Sequence, residues 1–320
     1  MLCVVAYALL LAAGSYDMPL YIRHSPLYTC PWPDSLERPS GLATARAADL
    51  RRPVQLLIHQ DADANYEPLL NATRKRHAQY ARKWGYEFNW DIGFASGWPY
   101  AAINRVWALS SAADRPGKFD WFAYVDADAL VWEERCTFED LIRNRSAAAN
   151  AMLLCHDPMG KKTVEWHVNS GVFLANLRHP LTRPLACTWR RRLWWDAWRR
   201  QALPSRLYRR YVLRLPPQDF LDDQRVLQEI LHEFMPRYPS LAQVVAEDVC
   251  TFNLLSGTLV RHVFGSRGRA GKLKAMQQAL RVLRSAKRKN SAPCLSMRAG
   301  RGRAHGRAKT SSTTAVSSAK

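Results

Sequence analysis

Two aspartates one residue apart, Asp126 and Asp128 with the small Ala127 between them, close the apolar run Trp121-Phe-Ala-Tyr-Val125. In an extended chain, positions i and i+2 project to the same side, so the two carboxylates converge. Such a pair at the edge of a core is unfavourable unless a cation, a basic side chain or water compensates. Hard divalent ions such as Mg²⁺ or Mn²⁺ take oxygen ligands in this way. An isolated Asp-x-Asp more often caps a helix from a turn, but here an apolar strand leads straight into the pair. The close spacing of the aspartates suits a metal clamp better than two carboxylates flanking a scissile glycosidic bond, which disfavours a hydrolase. The sequence has no G-x-G-x-x-G after its first strand and no G-x-x-x-x-G-K-S/T, so dinucleotide and P-loop readings lose their main support.

The elements that must position these residues read as βαβαβ. Val54 to His59 is an apolar run of strand length, followed by polar residues 60–65 and a helical stretch to about Lys83. Tyr86 to Trp90 reads as a second strand, Ala101 to Ala113 as a second helix and Trp121 to Val125 as a third strand. Ala151 to His156 and Gly171 to Asn176 follow as strands, and Leu181 to Gln201 and Asp222 to Glu233 as helices. Alternating elements with fully apolar strands predict an α/β fold, a mostly parallel central sheet flanked by helices, with ligands beyond the carboxyl ends of the strands. Gln60 and Asp61, just past the first apolar run, fall where a nucleotide would lie.

At 320 residues with 48% hydrophobic content the chain can bury a full core, which excludes wholesale disorder. Its net charge of +20 is uneven, since residues 285–320 hold nine Lys or Arg and no acid. Ten Ser or Thr and few large apolar residues there predict a disordered basic tail. A second Arg cluster, Arg183 to Arg214, is interleaved with Trp189, Trp194, Trp195 and Trp198 at helical spacing, and reads as an amphipathic helix rather than a nucleic-acid groove. Met1 to Ala13 is an apolar run fitting a signal peptide or truncated signal anchor, and residues 15–52 a Pro-rich stem. The expected organisation is therefore a leader over 1–14, a stem over 15–52, a globular domain over 53–284 and the tail over 285–320. Seven cysteines contain no C-x-x-C pair, so a zinc ribbon is disfavoured and disulfide connectivity stays open. Asn71-Ala-Thr73 and Asn144-Arg-Ser146 permit N-glycosylation. These features favour the secretory pathway.

The segment Trp121 to Val131, with Asp126 and Asp128 at its centre, resembles the DxD segment of GT-A glycosyltransferases, most of all the galactosyl/xylosyl/mannosyltransferase family, glycosyltransferase family 34. Other segments fall in that family's order. Arg76 to Tyr86 is similar to its Y-A-x-x-H-G-Y passage, with Trp84 in place of His. Asn169 to Ala175 resembles its N-S-G-x-F-L strand and Leu221 to Gln224 its D-D-Q segment. Arg261 to Arg267 resembles its closing H-F-x-G-x-K, with Arg267 in place of Lys. The similarity spans about Val54 to Lys272.

The resemblance implies a Rossmann-like nucleotide-diphospho-sugar transferase fold and transfer of galactose, xylose or mannose from a nucleotide sugar to a glycan acceptor, with retention of configuration, in the Golgi or secretory lumen behind an N-terminal membrane anchor. Asp126, Asp128 and His262 would hold Mn²⁺ or Mg²⁺. Ala127, Ser170, Gly171, Gly265, Arg267, Lys272 and Arg105 would bind the donor, with a surface role competing for Arg105. Asp222, Asp223, Gln224 and Asn169 would act at the transferred sugar or acceptor, with helix capping competing for the two aspartates. Rival readings are a glycogenin-like GT-A transferase, a non-catalytic descendant of the fold, and a basic nucleic-acid-binding protein, which would bind with strong salt dependence.

Overall fold

Side-chain parity along the strands decides which helix each residue meets. In a computed structural model the chain is described at residues 30, 32, 53–93, 103–115, 117–144, 147–157, 166–202, 223–245, 257–263 and 268–286, with the side chains of 144 and 195–202 outside that set. The strands among these residues are β1 (Leu56–Ala62), β2 (Glu87–Ile92), β3 (Trp121–Val125), β4 (Ala129–Val131), β5 (Met152–His156), β6 (Val168–Asn176), β7 (Ala242–Val245) and β8 (Val260–His262). The helices are α1 (Glu67–Trp84), α2 (Asn104–Ala113), α3 (Phe138–Asn144), α4 (Thr182–Ala202), α5 (Asp223–Phe234) and α6 (Gly268–Ala286).

The central sheet has the order β2-β1-β3-β6-β5-β7. β1 is parallel to β2 and β3, and β5 to β7, whereas β6 runs antiparallel to both β3 and β5. The α/β class with a mostly parallel sheet, expected from the apolar runs, is what the chain adopts. Phe122 and Tyr124 face one side of the sheet, where Leu109 of α2, Trp189 of α4 and Ile230 of α5 cover them. Trp121, Ala123 and Val125 face the other, against Tyr80 of α1 and Phe138 and Leu141 of α3. Both faces of β3 are therefore dry, which is why its sequence is apolar throughout. A smaller cluster joins Leu69 and Leu70 of α1 to Leu130 of β4, Val263 and Met276 of α6.

Most boundaries fall close to expectation. β1 runs on through Gln60 and Asp61, which are buried strand residues rather than the start of a polar loop. Helix α1 has Pro68 in its first turn and ends at Gly85, whose φ of 72° is left-handed and lets Tyr86 N–H donate to Ala81 O at 2.9 Å. In α4, Trp189 and Leu193 are buried, while Trp195 and Trp198 lie outside the described side chains. β4, β8 and α6 were not expected, and they carry half of the site.

Cys30 is disulfide-bonded to Cys187 of α4, with Cα atoms 5.5 Å apart. Beside it Trp32 stacks on Phe234, ring centroids 4.2 Å apart, and donates from Nε1 to Thr188 Oγ1 at 3.0 Å. Asn71 is exposed on α1, but Thr73 of the same triplet is buried. Among the described residues no helix is long and apolar enough to cross a membrane. The leader, most of the stem and the tail beyond Ala286 lie outside the described residues.

Candidate metal centre

β3 ends at Val125, and the chain turns rather than continuing extended. Asp126 N–H donates to Gly171 O at 2.8 Å, and Ala129 N–H closes the turn on Asp126 O at 2.9 Å. The two aspartates are thus brought together by a turn, not by the two-residue repeat of a strand, and they look into different surroundings. β4 starts at once and pairs antiparallel with β8, setting Ala129 opposite His262. Val263 N–H donates to Asp128 O at 2.9 Å. The short pairing carries the imaginary line from residue 128 to residue 262: His262 Nε2 lies 2.9 Å from Asp128 Oδ1 and 3.5 Å from Asp126 Oδ2.

One ligand atom from each of Asp126, Asp128 and His262 lies within 4.8 Å of the others. An octahedral ion with bonds of about 2.1 Å sets neighbouring ligands about 3 Å apart, so these three side chains fit one divalent ion without rearrangement of the backbone. Two carboxylate oxygens and an imidazole nitrogen suit Mn²⁺ or Mg²⁺, the nitrogen favouring the former. Gly171 makes the cradle tight. A Cβ there would lie 2.3 Å from His262 Cε1 and 2.6 Å from Asp126 Oδ2, so only glycine lets β6 approach this closely.

Around Asp126 the charges form a buried cage on the α2 side of the sheet. Arg105 of α2 donates from Nη2 to Asp126 Oδ1 at 2.8 Å and from Nη1 to Ser170 O at 3.0 Å, and its Nη1 lies 3.4 Å from Asp223 Oδ2. Tyr124 Oη lies 2.9 Å from Asp126 Oδ1 and 3.2 Å from Asp61 Oδ1. Burial pushes the Asp61 carboxyl up to about 8, against the Arg105 charge, and Asp126 adds to the rise. Asp61 therefore carries its proton at neutral pH. Burial also raises Asp126, outweighing Arg105. Burial by itself would lower Arg105, but the Asp126 and Asp223 charges hold it firmly protonated.

Asp128 lives under different rules. Lys272 Nζ of α6 lies 2.6 Å from its Oδ2. Burial would raise this carboxyl, but the His262 charge and hydrogen bond, then Lys272, hold it down at about 2. His262 is raised in return, the Asp128 charge and hydrogen bond prevailing over burial.

The Asn169-Ser170-Gly171 run lies beside the cage and is braced from α5. Ser170 Oγ donates to Asp223 Oδ2 at 3.0 Å, and Gln224 Oε1 accepts Ser170 N–H at 3.1 Å. Gln224 Nε2 reaches on to Asp157 Oδ2 at 2.9 Å, and Asn169 Oδ1 accepts Gly171 N–H at 2.8 Å. Of the residues singled out from sequence, the fold gathers Asp126, Ala127, Asp128, Asn169, Ser170, Gly171, Asp223, Gln224, His262, Lys272 and Arg105 into one region. Asp222, Gly265 and Arg267 lie outside the described residues. Arg105 is a correction to the surface alternative, since it is buried between carboxylates. Gln60 is likewise closed off by α1, so it does not meet a nucleotide. Tyr124 and Asp157 were missed as site residues. A hydroxyl one step inside an apolar strand is the signal that could have marked Tyr124; Asp157 offers none.

No family model matches the sequence, and no curated protein does. Among solved structures the chain is similar to a glycosyltransferase involved in glycosylation of the major capsid of PBCV-1, at 16% identity over 70% of this chain and 99% of that one, with a TM-score of 0.48. It is similar also to the galactosyltransferase LgtC, at 14% identity over 74% and 97% with a TM-score of 0.40. Mouse xyloside xylosyltransferase 1 follows at 12% identity over 63% and 88%, with a TM-score of 0.35.

Proposed function

We propose that this chain is a metal-dependent glycosyltransferase of the GT-A kind, moving galactose, xylose or mannose from a nucleotide-diphosphate sugar to a glycan acceptor with retention of configuration. The observation that carries the reading is the convergence of Asp126, Asp128 and His262, one ligand atom of each within 4.8 Å of the others, in a chain whose ordered motifs resemble that family. Asp126, Asp128 and His262 would hold Mn²⁺ or Mg²⁺, which when bound supplies Lewis-acid charge neutralisation at the leaving diphosphate. Lys272 stands next to the ligands and adds a positive charge for the phosphates. Gly171 keeps the donor side of β6 free of a side chain. Asp223 and Gln224, both tied to Ser170, fix the strand that faces the sugar. The Cys30–Cys187 disulfide supports a Golgi or secretory-lumen location, where thiols oxidise.

A thermal-shift panel of UDP- and GDP-sugars, each with and without Mn²⁺, tests this directly. A ligand present at 100 times its Kd adds about 2.7 kcal/mol to the folded state, so one metal and donor combination should raise Tm by several degrees. Asp128→Ala should remove that rise. Absence of any shift across the panel would sink the reading. One observation favours the non-catalytic alternative: Arg105 and Lys272 already neutralise the two carboxylates within the protein. It predicts a panel flat in metal and donor alike.

A further inference from the structure

On the α1 side of the sheet, opposite the charged cage, four fully buried groups form a hydrogen-bonded chain that ends on the backbone of the metal-binding turn. Val131 N–H of β4 donates to His77 Nε2 at 3.1 Å. That nitrogen must be the acceptor, since an amide can only donate, so the proton of the neutral ring sits on Nδ1. Nδ1–H then donates to Gln60 Oε1 at 3.0 Å, which fixes the orientation of the Gln60 amide. Both hydrogens of Gln60 Nε2 are thereby aimed, one at Thr73 Oγ1 at 2.9 Å and one at Asp126 O at 3.1 Å. His77, Gln60 and Thr73 are all fully buried. No water is needed to complete the chain, and only one tautomer and one amide orientation satisfy it.

The same helix grips β4 a second time. Arg76 donates from Nε to Val131 O at 2.5 Å and from Nη2 to Trp132 O at 2.8 Å. β4 pairs along its other edge with β8, which delivers His262. Side chains of α1 thus take the place of a neighbouring strand on the open edge of β4. Two ligand positions depend on this one helix: Asp126 through its carbonyl and Gln60, and His262 through β4 and its pairing.

We propose that His77 and Gln60 are positioning residues for the metal centre, locking the turn at Asp126 and the β4–β8 pair at the spacing one divalent ion needs. This rests on the functional reading above only in that the three ligands do bind an ion. Residues that orient metal ligands from behind typically change metal affinity by about 10–100-fold when replaced.

The test is Mn²⁺ titration of the purified chain, read by the electron-spin-resonance signal of free Mn²⁺, with no sugar nucleotide present. Gln60→Met keeps the volume and removes the amide; it should weaken Mn²⁺ binding about tenfold or more while near-ultraviolet circular dichroism stays that of the parent. Parent-like affinity in a folded Gln60→Met overturns the proposal and leaves the functional reading standing. A parent chain that binds no Mn²⁺ overturns both. Should Gln60→Met fail to fold, ¹⁵N spectra of histidine in the parent decide: one ring held as the Nδ1–H tautomer from pH 5 to 8 is expected, and absence of such a ring overturns the relay.

Discussion

Asp126 and Asp128 are one residue apart, yet they belong to different halves of the molecule. Asp126 faces the central sheet, where α2 and α5 supply Arg105 and Asp223 and where burial governs; its carboxyl is pushed up, and Asp61 beside it is pushed to about 8. Asp128 faces the small β4–β8 sheet and α6, where His262 and Lys272 overcome burial and hold it at about 2. A turn of four residues is enough to move the second carboxylate from one electrostatic regime into the other. The contrast shows how a close acidic pair is tolerated: each member has its own cation at contact distance, and the imidazole lies between them.

The largest effect should follow from breaking both halves at their common point. On the proposed reading, Asp128→Ala should reduce sugar transfer by about 10³-fold, measured as product from a labelled donor, and should also cost about 2 kcal/mol in urea unfolding, because its lowered carboxyl stabilises the fold and His262 and Lys272 lose their partner. Asp126→Ala should be as inactive at a smaller cost in stability, because burial raises that carboxyl and Arg105 keeps Asp223. Equal stability of the two variants in urea would dissolve the contrast between the halves.

Next in size, Arg105→Met should cost about 3–5 kcal/mol in urea unfolding, since it strands buried carboxylates. Lys272→Met should cost less, about 1–3 kcal/mol, because Asp128 keeps His262 as a second partner. A smaller gap than this between the two would place both halves in the same regime. Gly171→Ala should cost about 1–3 kcal/mol by overpacking and weaken Mn²⁺ binding, as the new methyl meets His262 and Asp126 together.

The subtlest differences are in pH. His262 is raised in the folded state from 6.5, so its stabilisation is complete below that value and is lost as pH rises through its folded pKa. Asp128, lowered to about 2 from 3.8, contributes above its unfolded value and loses that contribution as pH falls through about 2. Asp61 behaves as His262 does: raised from 3.8 to about 8, it favours folding below 3.8 and loses that advantage as pH climbs through about 8. Metal-free protein should therefore be less stable at pH 8.5 than at pH 5.5, by a few degrees in Tm. Asp61→Asn should flatten that dependence in one half and leave the His262 share intact. Mn²⁺ binding should strengthen over the same interval, because the ion and the proton compete for Nε2 of His262.

Much of this could be read from the chain alone. Trp121 to Val125 is apolar because helices cover both faces of β3, and that same burial marks Asp126 and Asp128 as anomalous. Strands such as β4 and β8, of three residues each, are too short to show periodicity, so the pairing that brings His262 home had no local signature; it was reached only through resemblance to a family. Arg105 had none either. Its place between Asp126 and Asp223 depends on α2 lying over β1 and β3, which is tertiary information. Gln60 and His77 were misleading in a different way. Gln60 reads as a residue beside a nucleotide and His77 carries no signal of its own, and only the parity of β1, which turns residue 60 toward α1, makes them partners. The connectivity of seven cysteines was undecidable by counting, and Cys30 meets Cys187 because α4 passes where residue 30 runs.

That last link has a mechanical consequence. Between Cys30 and Cys187 the polypeptide forms a covalent ring that encloses β1 through β6 and the acidic turn, while β8 and α6 lie outside it. Traction applied upstream of residue 30 is delivered to the side of a long helix and bypasses β1 altogether. The strands that carry the carboxylates, which lie inside the ring, are spared that load.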